Sequence, residues 1–517
     1  MVVTRLYYFG VAVFWINKLL YRKRTKVKKV SMNQNGKEPT KWRADQEKLE
    51  EFEPVFYPKT IAIIGASRNE HKMGSTYLNG LLAGGFEGKL FPVNPKTEEI
   101  GGVKAFPSVS SIPDPVDYVI ITVPRDLVLD VLEDCAQKKV KVVQIFTAGF
   151  SETGEEEGKK LEEGIIKKAE KGKFRVIGPN CIGVFSPKNN MTFYGAGEPG
   201  FVAFISQSGG HVAKLILNGM TRELQFSKIV SFGNGCDLDD TDFLEYLAID
   251  PETKIIGIYL EGTKDGKKLF KLIKDTSKIK PVVIWKGGRT DIGAKAAASH
   301  TGSLAGSYTI WNDAVKQAGA VNVESFEELV DTLLAFQFLP KIENNNVALI
   351  GGFADGAGGA SVAGSDACAS AGLNLPPFSK EIDEKLNNLI PLEGSITVNP
   401  LDLSRLEGNL DVLSRIIGLI DSDPQTDIII INEDIDIISF FLSPSMSGRI
   451  TDLLIESKKV CKKPMVVVSP PALLHDKRVK EESKLSDAKI PVYPSMDRAA
   501  KAIMNVITYW RNNSQNL

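Results

Sequence analysis

Short runs of apolar residues alternate with helix-like segments along most of this chain, from Lys59 onward. The first run, TIAIIGAS, is followed by KLFPVNP, DYVIITVP, VKVVQIFTAGF and FRVIGPNCIG, with helical patterns between most of them. This alternation is typical of βαβ units, which place their strands side by side in a parallel sheet. The continuous Val and Ile runs fit strands that are buried on both faces. We therefore predict an α/β fold with mostly parallel sheets.

The same pattern starts again twice further along the chain. A second series opens with GFVAFISQSGG near Gly200, and a third opens with VALIGGFADGAGG after Pro340 and a polar run. A chain of 517 residues is also too long for one ordinary core. We predict three α/β domains, which cover residues 51–185, 186–340 and 341–517.

The first 50 residues differ from the rest. Leu6 to Ile16 is apolar and is followed by a basic segment, but a membrane-spanning helix needs about 20 apolar residues. We expect residues 1–50 to be an N-terminal extension that ends in a polar linker. Three interpretations of its start stay open: weak membrane attachment, an unstructured extension, or translation that begins at Met32.

Charge and cysteine content exclude several classes of protein. The 63 basic and 64 acidic side chains nearly cancel, which is not the footprint of a nucleic-acid binder. The five cysteines are odd in number and contain no CxxC pair, so we expect neither a disulfide framework nor a zinc site. We expect no resident metal, and a reducing, cytoplasmic location.

Two loops between a strand and a helix are candidate anion sites, because a helix start points its N–H groups at whatever lies there. The first, GASRNEHKMG, lacks both GxGxxG and GxxxxGK[ST], so neither motif for nucleotide phosphates is present. Its Ser67, Arg68 and Lys72 suit a phosphorylated ligand, but a plain turn explains them equally well. The second loop, SQSGG, offers Ser206 and Ser208 to a phosphoryl group, although Ser206 as a helix cap is the alternative.

His300 lies among alanines, glycines and small hydroxyl residues, and we expect it on an exposed loop. No HxH, HxxxH, cysteine cluster or GxSxG accompanies it, which argues against a metal site and a serine-type triad. A nucleophilic imidazole that carries a group between sites and a structural histidine both remain possible. Glu261 ends a strand, where its carboxylate could hold an imidazole in one tautomer. We assign no catalytic role to the other histidines, His71, His211 and His475.

Six motifs together resemble a known family. The chain is similar, from about Glu51 to Asn512, to the α-type part of NDP-forming acyl-CoA synthetases, which are relatives of succinyl-CoA synthetase. The third domain opens with GGFADGAGGASV, which departs from the family pattern, so the resemblance implies nothing about the acyl group. The matching motifs, in chain order, are IAIIGAS, GPNCIGVFSP, SQSGG, FLEYLAIDPETKIIGIYLEG, SHTGSLAGS and NPLDLS.

The resemblance implies a Rossmann-like CoA-binding domain followed by two flavodoxin-like ligase domains with parallel sheets. His300 matches the family's phosphohistidine, and Glu261 matches the glutamate that holds it. The residues implied to bind the phosphoryl group are Ser206, Ser208, Gly209 and Gly210. The residues implied to bind CoA are Gly65, Ser67, Arg68, Gly74, Lys96, Val123 and Pro124, with Asn180 near the thioester.

The implied reaction converts an acyl-CoA, phosphate and ADP into a carboxylic acid, CoA and ATP through an acyl phosphate and phosphohistidine. Its last step needs an ATP-grasp domain, which we do not recognise in this sequence, so the resemblance implies a separate ATP-grasp subunit that holds the nucleotide and magnesium. Two other functions are alternatives. A CoA-binding sensor needs no phosphoryl carrier, and an NAD(P)-dependent oxidoreductase is disfavoured by the missing GxGxxG.

Overall fold

The computed structural model describes residues 40–192, 198–301, 307–352, 358–391, 395–406 and 408–514. Within these ranges the chain forms three large sheets and one hairpin. The apolar run near the N-terminus, Leu6 to Ile16, lies outside the described residues. No helix in the described part of the chain combines the length and the apolar character that crossing a membrane requires.

The first sheet has strand order β2-β1-β5-β6-β7, and all of its neighbouring strands are parallel. A separate hairpin is formed by β3 and β4. The strands are β1 (Thr60–Ile64), β2 (Lys89–Val93), β3 (Glu99–Ile100), β4 (Val103–Lys104), β5 (Tyr118–Ile121), β6 (Val142–Ile145) and β7 (Arg175–Ile177). The helices are α1 (Thr40–Phe56), α2 (Met73–Gly84), α3 (Val128–Lys138) and α4 (Glu156–Gly172).

The second sheet has strand order β13-β12-β11-β9-β10-β8, and only β8 runs antiparallel to its neighbour. The strands are β8 (Gly183–Phe185), β9 (Val202–Ser206), β10 (Phe226–Ser231), β11 (Ile255–Leu260), β12 (Val282–Lys286) and β13 (Val321–Val323). The helices are α5 (Gly209–Thr221), α6 (Asp240–Ile249), α7 (Gly266–Thr276), α8 (Asp291–Thr301), α9 (Tyr308–Gln317) and α10 (Phe326–Phe338).

The third sheet is parallel, with strand order β15-β14-β16-β17-β18. The strands are β14 (Val347–Gly351), β15 (Leu401–Asp402), β16 (Ile428–Asn432), β17 (Met465–Val468) and β18 (Val492–Tyr493). The helices are α11 (Gly358–Ala371), α12 (Lys380–Asn387), α13 (Leu410–Ser422), α14 (Ile435–Phe441), α15 (Met446–Val460), α16 (His475–Asp487) and α17 (Met496–Asn513).

The three sheets share one topology. When the parallel strands of each sheet are counted along the chain, the spatial order is 2-1-3-4-5 in every case. The α/β prediction with parallel sheets is therefore confirmed. In this topology the strand order reverses beside the first strand, and ligands bind outside the carboxyl ends of the strands at that point. The domain boundaries stay a prediction, and β8, which lies within residues 51–185, pairs with the second sheet.

Residues 40–50 form part of helix α1, so the expectation of a polar linker there is wrong. The aromatic rings of Phe52 and Phe56 stack on Tyr246 of helix α6, with centroid distances of 4.8 and 5.0 Å. Both Phe side chains are buried. The polar composition that suggested a linker belongs to an amphipathic helix, whose apolar residues cover the second sheet's helix α6.

Buried charges join the second and third sheets. Asp331 of helix α10 is 1% exposed and accepts hydrogen bonds from two guanidinium groups. Arg222 Nη1 lies 2.7 Å from its Oδ1, and Arg498 Nη2 of helix α17 lies 2.9 Å from the same oxygen. A buried carboxylate is stable only with such partners, so these contacts fix helix α17 against the second sheet.

Candidate functional site

The loop after β1 lies against the start of helix α2. Gly65 has a φ of +94°, a conformation that glycine adopts without strain. A Cβ atom at Gly74 would lie 2.5 Å from the main-chain nitrogen of Ala66, so a larger residue does not fit there. The Ser75 hydroxyl joins helix and loop, since it donates to the Ser67 carbonyl at 2.7 Å. The start of the helix therefore faces the loop at close range, as in an anion site.

The other residues expected to bind CoA follow neighbouring strands of the same sheet. The Lys96 N–H donates to Asn94 Oδ1 at 2.9 Å, and Asn94 Nδ2 donates to the Ala66 carbonyl at 2.8 Å, which ties the loop after β2 to the loop after β1. Val123 and Pro124 follow β5. The structure brings one set together at the carboxyl edge of the first sheet: Gly65, Ser67, Arg68, Gly74, Lys96, Val123, Pro124 and Asn180.

The segment after β7 joins this edge to the second sheet. It contains Asn180 and runs on to Ile182, whose N–H donates to the Ser231 hydroxyl at 3.4 Å. Ile182 also lies beside the first residue of helix α5, because a Cβ atom at Gly209 would be 3.0 Å from the Ile182 side chain. The expected CoA site and the expected phosphoryl site therefore adjoin one another.

The SQSGG loop follows β9 and opens helix α5. Ser206 is fully buried, and its hydroxyl donates to the Ser208 carbonyl at 2.8 Å and accepts from the Ser208 N–H at 3.1 Å. Ser208 is the N-cap of the helix. Ser206 thus shapes the turn from within, whereas Ser208, Gly209 and Gly210 form the start of the helix.

Glu261 follows β11 and is held by its neighbours. Its N–H donates to Gln207 Oε1 at 2.8 Å, and its carbonyl accepts from Lys286 Nζ at 2.6 Å. Its Oε1 accepts a hydrogen bond from the Tyr259 hydroxyl at 3.1 Å. Gln207 belongs to the SQSGG loop, so this loop and Glu261 flank the point where the strand order of the second sheet reverses.

Sequence reasoning missed three of these residues, Gln207, Tyr259 and Lys286. For Tyr259 a signal was present, because residues two apart on a strand share one face. Burial lowers the pKa of Lys286, although the Glu261 carboxylate opposes this effect. Burial also raises the pKa of Tyr259, and the Glu261 charge adds to the increase, so its hydroxyl stays protonated and remains a donor.

The main chain of His300 lies in helix α8, not on the loop that the sequence suggested. The run AKAAA before it explains the difference, because alanine is the strongest helix former. The His300 side chain and residues 302–306 lie outside the described residues. His71 is exposed, whereas the ring of His211 packs 4.4 Å from that of Tyr259.

A cavity of about 370 Å³ opens beside Glu261. Helices α7 and α9 give it apolar lining residues that include Phe270 and Trp311, and Glu261 and Lys286 also line it. The cavity therefore leaves room for a small group beside the carboxylate.

The described residues contain no group of three or more His, Cys, Asp or Glu side chains that could hold a metal ion. All five cysteines are free thiols. This edge of the molecule offers the starts of two helices, the fixed Glu261 carboxylate and the buried Lys286 ammonium.

Comparisons with known proteins match both halves of this arrangement. A model of the CoA binding domain matches residues 59–187, and a model of the succinyl-CoA ligase like flavodoxin domain matches residues 199–336. These matches confirm the fold expected for the first two parallel sheets.

Curated relatives and solved structures extend the match. The chain is 42% identical to ADP-forming acetate–CoA ligase of Methanocaldococcus jannaschii over 68% of this chain and 49% of that protein. It is 37% identical to the alpha subunit of ADP-forming acetate–CoA ligase I of Pyrococcus furiosus, over 87% of this chain and 96% of that subunit. Dinucleotide-forming acetyl-coenzyme A synthetase 1 of Ca. Korarchaeum cryptofilum, solved with phosphate and ADP, is 33% identical, with a TM-score of 0.77 over 90% of this chain and 97% of that one. The chain spans about half the length of the first curated relatives, at 49% and 54%.

Proposed function

Because this chain belongs to the family of ADP-forming acetate–CoA ligases, we propose that it binds CoA and carries a phosphoryl group on His300. The reaction interconverts an acyl-CoA, phosphate and ADP with a carboxylic acid, CoA and ATP. The substrate is a small carboxylic acid or its thioester. The proposed enzyme has one Rossmann-like domain and two flavodoxin-like domains, with the boundaries predicted from the sequence.

In the first step a phosphate oxygen attacks the thioester carbonyl, the C–S bond breaks, and the CoA thiolate leaves with a proton. The carboxyl edge of the first sheet holds CoA, with Arg68 and Lys96 at its phosphates and Asn180 near the thioester. Ser208 and the N–H groups of Gly209 and Gly210 hold the phosphate, since the start of helix α5 favours negative charge. The product is an acyl phosphate.

In the second step an imidazole nitrogen of His300 attacks phosphorus, and the carboxylate leaves. Glu261 accepts a hydrogen bond from the other ring nitrogen, which fixes the tautomer and stabilises positive charge on the ring. In the third step the phosphohistidine passes its phosphoryl group to ADP.

The third step takes place on an ATP-grasp partner, which holds the nucleotide and magnesium. Two curated relatives are named alpha subunits, and this chain spans 80% and 96% of them. The first curated relatives are about twice as long as the stretch that matches this chain, which supports a further functional part of the enzyme beyond the matched residues. The five free thiols support a reducing location, and we place the enzyme in the cytoplasm.

One observation carries the proposal: the expected CoA edge and the expected phosphoryl helix adjoin at Ile182 and Gly209. An acyl group at the end of CoA can therefore meet phosphate at helix α5. A CoA-binding sensor, the second function, would need the first site but not a Glu261 whose carboxylate is held by Tyr259 and whose main chain is held by Gln207 and Lys286.

The test measures CoA thiol released from a panel of thioesters, starting with acetyl-CoA, with no nucleotide present. We expect release that requires phosphate, and we expect His300→Ala to keep this first step. Calorimetric titration with CoA and with NAD runs alongside. CoA binding without thiol release from any thioester would favour the sensor, and NAD binding would favour an oxidoreductase.

A further inference from the structure

Tyr259 and Glu261 lie two residues apart and project from the same face at the end of β11. The Tyr259 hydroxyl donates to Glu261 Oε1 at 3.1 Å. The two residues are 6% and 7% exposed, so water competes little for this hydrogen bond. A hydrogen bond to a charged group in such a place is stronger than one between neutral groups.

The Tyr259 ring is itself fixed by packing. The ring of His211 lies 4.4 Å away on one side, and the ring of Trp285 lies 4.5 Å away. Because these contacts restrict the ring, its hydroxyl has a defined position.

Gly287 has no side chain, and the space beside it is occupied by the side chains of Tyr259 and Glu261. A Cβ atom at Gly287 would come within 2.7 Å of the Tyr259 hydroxyl oxygen and 3.2 Å of Glu261 Cγ. The Gly287 N–H donates to the Leu260 carbonyl at 2.8 Å, so the main chain at this position is held in the sheet and cannot move aside easily.

Main-chain contacts fix the rest of Glu261. Gln207 accepts from its N–H, and Lys286 donates to its carbonyl. The Tyr259 hydroxyl bonds the carboxylate itself and so restricts rotation of the Glu261 side chain. We propose that Tyr259 is a positioning residue, which orients the Glu261 carboxylate for its proposed role in phosphoryl transfer to His300, and that Gly287 is required for the Tyr259–Glu261 pair. This inference rests on the proposed phosphoryl transfer to His300.

The first test removes the hydroxyl with Tyr259→Phe and measures labelling of the protein by labelled phosphate and acetyl-CoA in a single turnover. We expect the maximal labelling rate to fall about tenfold, the effect of losing one hydrogen bond to a charged group. The concentrations of acetyl-CoA and phosphate that give half the maximal rate should stay within about twofold of wild type, because a positioning residue for Glu261 acts on the transfer step and not on substrate binding.

Tyr493→Phe is the matched control. Tyr493, in β18 of the third sheet, is also buried, and its hydroxyl donates to the Asp331 carbonyl of helix α10 at 3.3 Å. Tyr493→Phe should lower the melting temperature by about as much as Tyr259→Phe does, but it should leave the labelling rate unchanged. Equal loss of rate in both variants would show a general effect of stability and would overturn the proposal.

Gly287→Ala tests the pair without removing the hydroxyl. We expect the maximal labelling rate to fall by a similar factor. Gly418→Ala is the control and should not lower this rate, because a Cβ atom at Gly418 meets nothing within 4 Å. In the double variant the two effects should be less than additive, because Phe removes the atom that the new Cβ contacts most closely.

Additive effects, or a wild-type rate in Tyr259→Phe, would overturn the positioning role while phosphohistidine chemistry in the wild type stands. A wild-type chain that takes no label would instead reject the proposed function itself, and the inference with it.

Discussion

Gly74 and Gly65 lie so close that a Cβ atom at Gly74 would be 2.6 Å from the main-chain carbonyl carbon of Gly65. The contact sets the distance between the start of helix α2 and the end of β1, where CoA is proposed to bind. It joins two positions that are separated in the sequence by the whole loop.

Gly74→Ala should therefore weaken CoA binding without harming the second sheet. The added methyl group has backbone atoms as neighbours, and overpacking of this kind costs about 1–3 kcal/mol. We expect CoA affinity, measured by calorimetry, to fall about tenfold or more. Labelling of the protein by acetyl phosphate, which bypasses the CoA step, should remain. If both CoA binding and labelling by acetyl phosphate were lost while Gly418→Ala kept them, the two sites would not be separate as proposed.

Glu261→Gln keeps an oxygen for the Tyr259 hydroxyl but removes the negative charge. The imidazolium-like ring that forms during transfer then has no counter-charge, so we expect labelling of the chain to fall about 100-fold or more. CoA affinity should not change. Glu381→Gln, at an exposed ion pair with Lys385, serves as the control and should label normally. Normal labelling in Glu261→Gln would remove Glu261 from the mechanism.

The parallel strands and the loops that carry the site could be predicted from sequence, since the Val and Ile runs and the small-residue loops are local signals. Helix α1 could not be predicted, because most of its residues are polar and only a few aromatic residues pack on Tyr246. The burial of Ser206 depends on the geometry of a turn, which no local sequence pattern specifies. The contact between Ile182 and Gly209 joins two sheets, so no sequence spacing encodes it.

Glu433 gives a prediction about stability and pH. Burial, together with the nearby Glu481 charge, raises the pKa of Glu433 from 4.5 to about 8. The folded state therefore keeps a proton that the unfolded state loses between these two pH values. The stability linked to this proton is complete below about pH 4.5 and is lost as the pH rises to about 8, with a slope of at most about 1.4 kcal/mol per pH unit.

Glu433→Gln cannot ionise, so its melting temperature should decline less than that of wild type between pH 5 and about pH 8. Relative to wild type, the gain in melting temperature of Glu433→Gln should be largest at the high end of this pH range. Glu381→Gln, which changes an exposed carboxylate, should follow the wild-type curve. Parallel curves for Glu433→Gln and wild type would contradict a raised pKa at this position.

The most direct test of the central claim is to locate the phosphoryl group. The chain is incubated with labelled phosphate and acetyl-CoA, without nucleotide, and the labelled peptide is identified by mass spectrometry. We predict acid-labile, base-stable label on His300, which requires the thioester and is absent from His300→Ala. Label on another residue, or label that persists in His300→Ala, would contradict the proposal that His300 is the phosphoryl carrier.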